Sequence, residues 1–549
     1  MKLQALLATL LFCAEAGRVK RPAKQLEDQT YWNEVAREEL NIALNVKLNT
    51  NLAKNVILFV GDGMCPNTLT AARIYKQSEG ARLSFENFPH MGLLKTYNAD
   101  RMVPDSASTA TALFSGVKTN FKVVGVDQHV NYTDCDASLD KTRWLHSVLK
   151  WAQDAGKDTG FVTTTRVTHA TPSALYAHTA SRDWECESKM PASASHCKDI
   201  ARQLVEDEPG KNIKVIMGGG YQTLVSNAST LPGDPIDTWA CYRQDGRNLI
   251  EDWKLDKISR NAAYSVLRNV TDLRNLDISE TDYVLGIFAN GHINYDDLHV
   301  SAGSSMPSLH EMTTTAIRVL QKNQKGYVLV VEGGLIDVAH HRGYARRALQ
   351  ETLALDTAVE ETLNTIKYDP LKLKTNEALS DTLVIVTSDH THSLSINGYP
   401  ARGSNILGIA KKSAVDNIPY TILTYSTGSN LAFNHTVING TEVIRDNPEN
   451  YDYTSFDYHQ QAAILTDEAS HGGGDVTVYA AGPMAHLFHT SHEQHYVAHV
   501  MGYAARIGPY ADIPHNCGVS NLKLNAALMV VIYLIQSRFC LMLINFNSE

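Results

Sequence analysis

The chain has 549 residues, with 49 Lys and Arg against 59 Asp and Glu, which gives a formal net charge of −10. This acidic balance argues against a nucleic-acid-binding protein, because phosphate backbones are bound by clustered positive charge. The composition, 44% hydrophobic and 20% charged, is that of ordinary globular domains and excludes disordered or collagen-like chains.

The N-terminus has the pattern of a secretory signal in residues 1–16. Lys2 supplies the positive charge, residues 3–13 are apolar, and residues 14–16 form a small-x-small cleavage site. The alternative is a buried N-terminal helix. Several Asn-x-Ser/Thr sequons fit a secreted surface and are predicted glycosylation sites: Asn131, Asn227, Asn269, Asn434 and Asn439.

Short apolar runs recur along the chain and end in polar residues, at 56–60, 161–165, 215–217, 328–331 and 383–387. Continuous runs of this kind are typical of strands buried on both faces of a mainly parallel sheet. Helical patterns such as residues 345–366 supply the crossovers. The prediction is therefore an α/β fold with a large central, mainly parallel sheet flanked by helices. Ligands of such sheets bind at the carboxyl ends of the strands.

The first polar residues of interest are Asp62 and Ser106. Asp62 follows the first strand between two glycines, which let the backbone turn tightly beside a ligand. Ser106 opens a helix of small residues after Pro104, where free backbone N–H groups favour an anion. Ser106 is thus a candidate nucleophile toward a phosphoryl group. For both residues the alternative is a simple helix or turn cap.

The strand at 161–165 is followed by His169, Thr171 and, further on, Arg182. Thr171 could add a hydroxyl to a magnesium site, and His169 could stand behind it. The planar guanidinium of Arg182 could hold two phosphate oxygens at once. Each of the three is a surface residue in the alternative interpretation.

The strand at 328–331 leads into Glu332, Asp337 and His341. Asp337 and His341 are four residues apart, so they share one face of a helix at ligating distance. Aspartate and histidine are zinc ligands, whereas a glutamate oxygen also suits magnesium. Surface histidines without a metal are the alternative.

The strand at 383–387 leads into Asp389, His390 and His392, and His471 precedes a further strand. Charged residues at buried strand ends are costly unless they are paired or bind metal. Two Asp–His pairs and a further histidine indicate two metal centres, an arrangement that suits in-line phosphoryl transfer. Between them, residues 397–470 lose helical periodicity, which predicts an inserted, surface-exposed subdomain.

The C-terminus is apolar again, at residues 526–535 and 539–544. These runs are too short for a membrane span and resemble the removable tail of a lipid-anchor signal, with attachment near Asn516, Gly518 or Ser520. A buried or interfacial helix is the alternative. The few cysteines predict one or two local disulfides, and their spacing does not assign the pairs.

Taken together, these motifs resemble the animal alkaline phosphatases from about residue 31 to residue 510. The matching stretches include Gly61–Met64, Pro104–Ala107, Val162–Val167, Glu332–Gly334, Ser388–His392 and Gly482–His486. The resemblance implies that Ser106 is the nucleophile and that Arg182 holds phosphate. It further implies one zinc on Asp337, His341 and His471, a second on Asp62, Asp389 and His390, and a magnesium on Asp62, Thr171 and Glu332, with His169 and His392 close by.

The resemblance also implies a Cys135–Cys197 disulfide, a crown subdomain at 397–470, and an N-terminal helix at about 32–48 that embraces a second subunit. The predicted organisation is a signal peptide (1–16), a catalytic domain (17–396 and 471–515), the crown insertion (397–470) and a lipid-anchor signal (516–549). The chain departs from many relatives at Val338, where they carry a phosphate-holding His or Lys. It also lacks carboxylates for a fourth, calcium-like ion at 288–290 and Val300, so that site is not predicted.

The functional hypothesis is hydrolysis of phosphate monoesters through a phosphoserine, in a homodimer anchored by a glycosylphosphatidylinositol lipid at the cell surface. A diesterase or sulfatase on the same scaffold is a related alternative. An alternative of another class is a surface-anchored binding or receptor protein with a weak or vestigial phosphatase site. Complete ligand sets favour the enzyme.

Overall fold

The computed structural model of the chain describes residues 27–301, 304–366, 379–429, 435–438 and 442–513. The predicted signal segment (1–16), the predicted tail (516–549) and the sequons at Asn434 and Asn439 lie outside these residues. Among the described residues, none of the helices combines the length and the apolar character that a membrane crossing requires.

The secondary structure alternates between strands and helices through most of the chain. The strands are β1 (Asn55–Gly61), β2 (His90–Lys95), β3 (Asp158–Arg166), β4 (Val215–Gly219), β5 (Tyr264–Leu267), β6 (Tyr283–Ile287), β7 (Tyr327–Gly333), β8 (Thr382–Ser388), β9 (Thr391–His392), β10 (Leu394–Ile396), β11 (Ile409–Lys412), β12 (Pro419–Thr421), β13 (Leu423–Ser429), β14 (His435–Ile438), β15 (Glu442–Arg445), β16 (Ala462–Thr466), β17 (His471–Gly472), β18 (Val476–Ala481) and β19 (Thr490–Glu493).

The α-helices are α1 (Gln29–Leu44), α2 (Pro66–Lys76), α3 (Ser106–Ser115), α4 (Cys135–Ser138), α5 (Val148–Asp154), α6 (Ala170–Ser173), α7 (Ile200–Glu206), α8 (Tyr221–Leu224), α9 (Leu249–Ser259), α10 (Val270–Arg274), α11 (Asp296–Ser301), α12 (Leu309–Leu320), α13 (Leu335–His341), α14 (Ala345–Thr365) and α15 (Tyr496–Ala505).

Ten of the described strands form one sheet in the order β19-β2-β18-β8-β1-β7-β3-β4-β6-β5. Neighbouring strands are parallel except at β18, which runs antiparallel to both β2 and β8. Strands β1, β7 and β8 are almost wholly buried and apolar, as expected for parallel strands covered by helices on both faces. The predicted α/β fold with a mainly parallel central sheet is confirmed.

The two faces of the sheet carry separate apolar cores because side chains alternate along a strand. Leu58 of β1 belongs to one core, together with residues of α5 and α15. Its neighbour Phe59 belongs to the other core, with residues of α12 and α14. This double burial holds the central strands rigidly and fixes the positions of the loops that follow them.

After β8 the chain leaves the main sheet, and between residues 394 and 470 it forms small sheets of its own. These are β10-β13-β16, β11-β12 and β14-β15. At the base of this segment, β9 pairs antiparallel with β17, so that His392 lies opposite His471 and Thr391 opposite Gly472. The departure and return of the chain therefore meet beside two residues of the predicted site.

Two disulfides occur within the described residues. One links Cys135 to Cys197, the pair that the resemblance implied, and the other links Cys186 to Cys241, a pairing that the sequence left open. Cys65 is buried and carries a free thiol.

Among the described sequons, Asn131 and Asn227 are exposed, and the Asn269 side chain caps the N-terminus of α10. Glycosylation of these residues stays a prediction.

Candidate active site

The predicted site residues converge at the carboxyl ends of the central strands. Gly61 at the end of β1 pairs with Gly333 of β7 on one side and with Ser388 of β8 on the other. This register places Asp62, Glu332 and Asp389 side by side at one edge of the sheet. All three side chains are buried.

The turn after β1 depends on Gly63, which has a φ of +65°. A Cβ atom at this position would lie 2.8 Å from Asp337 Oδ1, so any other residue would push this carboxylate aside. The Gly63 N–H also donates to Asp389 Oδ1 over 3.1 Å. The turn thus holds two carboxylates in position without contributing a side chain.

Ser106 is the first residue of α3, a helix in which every residue is buried. The Asp105 side chain caps the helix by accepting from the N–H groups of Ala107 and Ser108. Ser106 Oγ lies 3.0 Å from His390 Nε2 and 3.4 Å from Asp62 Oδ1. Its hydroxyl therefore faces the carboxylates and imidazoles at the strand ends, while a neighbouring residue does the capping.

A first group of donors combines the helix α13 with the β9–β17 pair. His341 Nε2 lies 2.9 Å from His471 Nε2 and 3.1 Å from Asp337 Oδ2. Asp337 Oδ1 lies 3.4 Å from His471 Nε2 and 3.5 Å from His392 Nε2. These four side chains offer ligand atoms that lie within 4.8 Å of one another, with His392 among them.

A second group consists of Asp62, Asp389 and His390. His390 Nε2 lies 3.2 Å from Asp62 Oδ1 and 3.3 Å from Asp389 Oδ2. The rings of His390 and His471 stack with their centroids 3.7 Å apart, which sets the two groups side by side. Ser106 Oγ is in contact with this second group.

A third group brings Asp62 together with Glu332 and His169. Glu332 Oε2 accepts hydrogen bonds from the hydroxyls of Thr163 and Thr165, which hold the carboxylate in place. Its Oε1 atom, Asp62 Oδ2 and Thr171 Oγ1 are buried and lack a hydrogen-bond partner within the described residues.

These donor sets fit divalent metal ions. Ligand atoms about 2.0–2.1 Å from a tetrahedral zinc lie roughly 3.3 Å from one another, which matches the separations of 3.2 and 3.3 Å in the second group. Buried oxygens without partners are costly unless something binds them. The first two groups combine carboxylates with one or more imidazoles, as suits zinc, whereas the third adds the Thr171 hydroxyl to two carboxylates and one imidazole, and this larger share of oxygen suits magnesium.

The charges of the site also favour bound metal ions. Burial, reinforced by the charges of Asp389, Asp337 and Glu332, raises the pKa of Asp62 well above its usual value. Burial also raises the pKa of Glu332 to about 7. Four carboxylates in one buried cluster repel each other, and bound cations would remove that repulsion.

Asp105 holds Arg182 beside Ser106, the candidate nucleophile. Arg182 Nη1 donates to Asp105 Oδ2 over 3.1 Å, and Nη2 lies 3.3 Å from His169 Nε2. Although burial favours the neutral acid, the charge of Arg182 and the N–H of Lys122 hold the pKa of Asp105 below its usual value. Asp105 therefore anchors the guanidinium next to Ser106.

Some supporting residues escaped the sequence analysis. Thr109 Oγ1 donates to Asp389 Oδ2 over 3.1 Å, and Thr163 and Thr165 orient Glu332. The run of threonines within a buried strand was a usable signal, since buried hydroxyls need partners. Arg166 forms a buried ion pair with Glu185. The local sequence around Arg166 does not predict this pair.

The family described as "Alkaline phosphatase" matches residues 53–507. The chain belongs to the alkaline phosphatase family. It is accordingly an enzyme, a phosphoric monoester hydrolase.

Relatives within the alkaline phosphatase family extend over most of the chain. The tissue-nonspecific alkaline phosphatase of Rattus norvegicus is 43% identical over 502 residues, which cover 89% of this chain and 91% of the relative. The membrane-bound alkaline phosphatase of Bombyx mori is 38% identical over 515 residues, covering 91% and 89% of the two chains.

Solved alkaline phosphatase structures share the fold. The enzyme of the Antarctic bacterium TAB5 matches with a TM-score of 0.55 and 20% identity, over 84% of this chain and 99% of that one. The Thermus thermophilus enzyme matches with a TM-score of 0.56 and 23% identity, over 84% and 93%.

Proposed function

We propose that the chain hydrolyses phosphate monoesters through a phosphoserine at Ser106. The observation that carries the proposal is the position of the Ser106 hydroxyl. It stands at the N-terminus of a buried helix, 3.0 Å from His390 Nε2, next to two clustered donor groups. The Asp105 side chain already accepts from the Ala107 and Ser108 N–H groups, so the support for an anion at this helix N-terminus is the positive end of the helix dipole.

The proposed cofactors are two zinc ions and one magnesium ion per subunit. Asp337, His341 and His471 would hold the first zinc, and Asp62, Asp389 and His390 the second. Asp62, Thr171 and Glu332 would hold magnesium. When bound, such ions lower the pKa of coordinated hydroxyls and stabilise negative charge on oxygen. His169 and His392 complete the surroundings as neutral rings, because burial holds the pKa of each well below its usual value.

The proposed reaction has two displacement steps at phosphorus. Ser106 gives up its proton to solvent and its Oγ forms a bond to phosphorus, while the bond between phosphorus and the alcohol oxygen breaks. The alcohol oxygen takes a proton from water and leaves. Water then attacks the phosphoserine and loses a proton to solvent, the Oγ–P bond breaks, Ser106 Oγ takes up a proton from solvent, and inorganic phosphate departs. Arg182 would hold the non-bridging oxygens throughout, and Asp105 keeps its guanidinium aimed.

Substrate comparison and metal removal test this function together. We expect hydrolysis of p-nitrophenyl phosphate to exceed that of bis(p-nitrophenyl) phosphate and p-nitrophenyl sulfate, and to vanish with a chelator and return with zinc and magnesium. Preference for the diester or the sulfate, or full activity after verified metal removal, would contradict the proposal.

Arg182→Lys is expected to weaken phosphate binding, because an ammonium cannot reproduce the two parallel bonds of a guanidinium. Inhibition by inorganic phosphate should weaken about tenfold, with a similar rise in KM. Steady-state kinetics with phosphate as inhibitor measure both. Arg202→Lys, on α7 beside Glu206, is the matched control and should leave both constants unchanged. If the two variants had equal inhibition constants for phosphate and equal KM values, Arg182 would not be a phosphate-binding residue.

The proposed assembly is a homodimer to which α1 contributes. This helix has no buried residue, and its Trp32 and Leu44 side chains are 51% and 84% exposed. A 16-residue helix is marginal alone in water, so packing against a second copy would account for it. Analytical ultracentrifugation tests this, and a purely monomeric enzyme at micromolar concentration would contradict it.

The proposed location is the outer cell surface, with N-linked glycans and a glycosylphosphatidylinositol anchor. The exposed sequons Asn131 and Asn227 support it, as does the membrane-bound relative of Bombyx mori. Release of activity from intact cells by a phosphatidylinositol-specific phospholipase is the expected result, and retention after complete digestion would argue against the anchor.

A further inference from the structure

Thr109 lies on α3, three residues after Ser106, and its hydroxyl takes no part in the proposed reaction. The side chain is buried, and its Oγ1 atom lies 3.1 Å from Oδ2 of Asp389, a residue 280 positions away in the chain. Residues three apart share one face of a helix. The face of α3 that presents Ser106 therefore also presents this hydroxyl to the second donor group.

The Asp389 carboxylate is held at both of its oxygens. Oδ1 accepts from the backbone N–H groups of Gly63 and His390, over 3.1 and 2.8 Å. Oδ2 lies 3.3 Å from His390 Nε2, inside the second donor group. Within the described residues, Thr109 supplies the only hydroxyl that bonds to Oδ2. The oxygen that faces the proposed zinc site is therefore the one that Thr109 holds.

The Thr109 hydroxyl has more than one acceptor within reach. Besides Asp389 Oδ2, the carbonyl oxygens of Asp105 and Ser106 lie 3.1 and 3.2 Å from Oγ1. A hydroxyl has one hydrogen to donate, and a hydrogen bond to an ionised acceptor is stronger than one to a neutral acceptor. All four residues are buried, where water does not weaken this difference. The carboxylate is therefore the preferred acceptor.

We propose that Thr109 is a positioning residue, whose hydroxyl orients the Asp389 carboxylate for the second zinc ion. The inference rests on the proposed zinc site of Asp62, Asp389 and His390. A group that donates to a ligating carboxylate fixes the orientation of that carboxylate, and its loss weakens metal binding by about 10- to 100-fold. Thr109 also connects this ligand to the helix that carries Ser106, so the nucleophile and the second donor group are held by the same element.

The test compares zinc binding by Thr109→Val, which removes the hydroxyl and keeps the shape of the side chain, with Thr109→Ser, which keeps the hydroxyl. Metal-free protein is titrated with zinc against a chromophoric chelator at saturating magnesium, and two zinc dissociation constants are fitted. For Thr109→Val we expect one constant to rise about tenfold and the other to stay unchanged, whereas Thr109→Ser should bind both ions as the wild type does. Hydrolysis of p-nitrophenyl phosphate by Thr109→Val should be low at limiting zinc and recover with excess zinc.

Thr313→Val is the matched control. Thr313 is a buried threonine of α12 whose Oγ1 donates to the Leu309 carbonyl oxygen over 2.7 Å, within its own helix. Its replacement should leave both zinc constants unchanged. If Thr109→Val does not fold, Thr109→Ala and Thr109→Ser give the same comparison, because these two variants differ only in the hydroxyl.

Three results would overturn the inference: wild-type zinc constants in Thr109→Val, an equal rise in both constants, or the same loss of affinity in Thr109→Ser. Zinc binding is measured without substrate. Absence of hydrolysis by the zinc-loaded wild type would therefore refute the proposed function and leave the zinc comparison intact.

Discussion

Ser106→Ala should lower phosphate monoester hydrolysis by about 10³- to 10⁶-fold, because it removes the proposed nucleophile. Ser106 Oγ is the hydroxyl in contact with His390 and Asp62 at the end of α3. The loss should fall on kcat, while inorganic phosphate still binds. The measurement is steady-state kinetics combined with mass spectrometry of acid-quenched enzyme, which should detect a phosphoryl group on Ser106 in the wild type only.

Ser115→Ala provides the control on the same helix. Ser115 Oγ donates to the Thr111 carbonyl oxygen over 2.7 Å at the far end of α3, remote from the donor groups. Its replacement changes the same atoms in the same buried helix, so any general loss of folding would affect both variants. Comparable activity of the two variants, or a phosphorylated residue other than Ser106, would refute the nucleophile assignment.

Glu332→Gln should act on stability in opposite directions with and without metal. In the metal-free protein the folded pKa of Glu332 is raised to about 7, above its ordinary 4.5, because the side chain is buried. Its ionised form therefore destabilises the fold, and this cost grows as pH rises from about 4.5 to 7 and is complete above that. Removing the carboxylate should stabilise the metal-free protein at pH 8 by about 3 kcal/mol.

The difference between variant and wild type should shrink toward pH 5, where folded Glu332 is protonated and the pH is close to the pKa of the unfolded chain. Buried neutral histidines also make stability depend on pH, but they are common to both proteins and cancel in the difference. With zinc and magnesium present the order should reverse, since the variant loses a metal ligand. Calorimetric melting at pH 5 and 8, with and without metal, measures all four cases. A metal-free variant less stable than wild type at pH 8 would contradict the electrostatic account.

The central sheet could be predicted because its strands are continuous apolar runs, which indicate burial on both faces. The apolar run at 56–60 and the one at 383–387 became β1 and β8, and the polar residues after them lie at the site. An apolar run does not encode strand direction, however. The antiparallel course of β18 depends on its neighbours β2 and β8, which lie far away in sequence.

The sequence predicted which residues are donors better than it predicted which donors lie together. Asp337 and His341 follow from helical spacing, but the contact of His341 with His471 spans 130 residues. The place of His392 among the donors results from its pairing opposite His471, which local patterns do not contain. The Cys186–Cys241 bond was open for the same reason, since spacing does not determine which loops meet.

The pairing of β9 with β17 means that the 397–470 segment begins and ends at nearly the same place. An excursion whose two ends already touch can change in length without stretching the frame that carries it, because closing a longer loop costs little extra entropy, provided that its apolar contacts with α2 and α14 are kept. The segment can thus vary in length while the strand ends that carry the donors stay in place. Chimeras joined at residues 393 and 470 would be a natural way to separate the two.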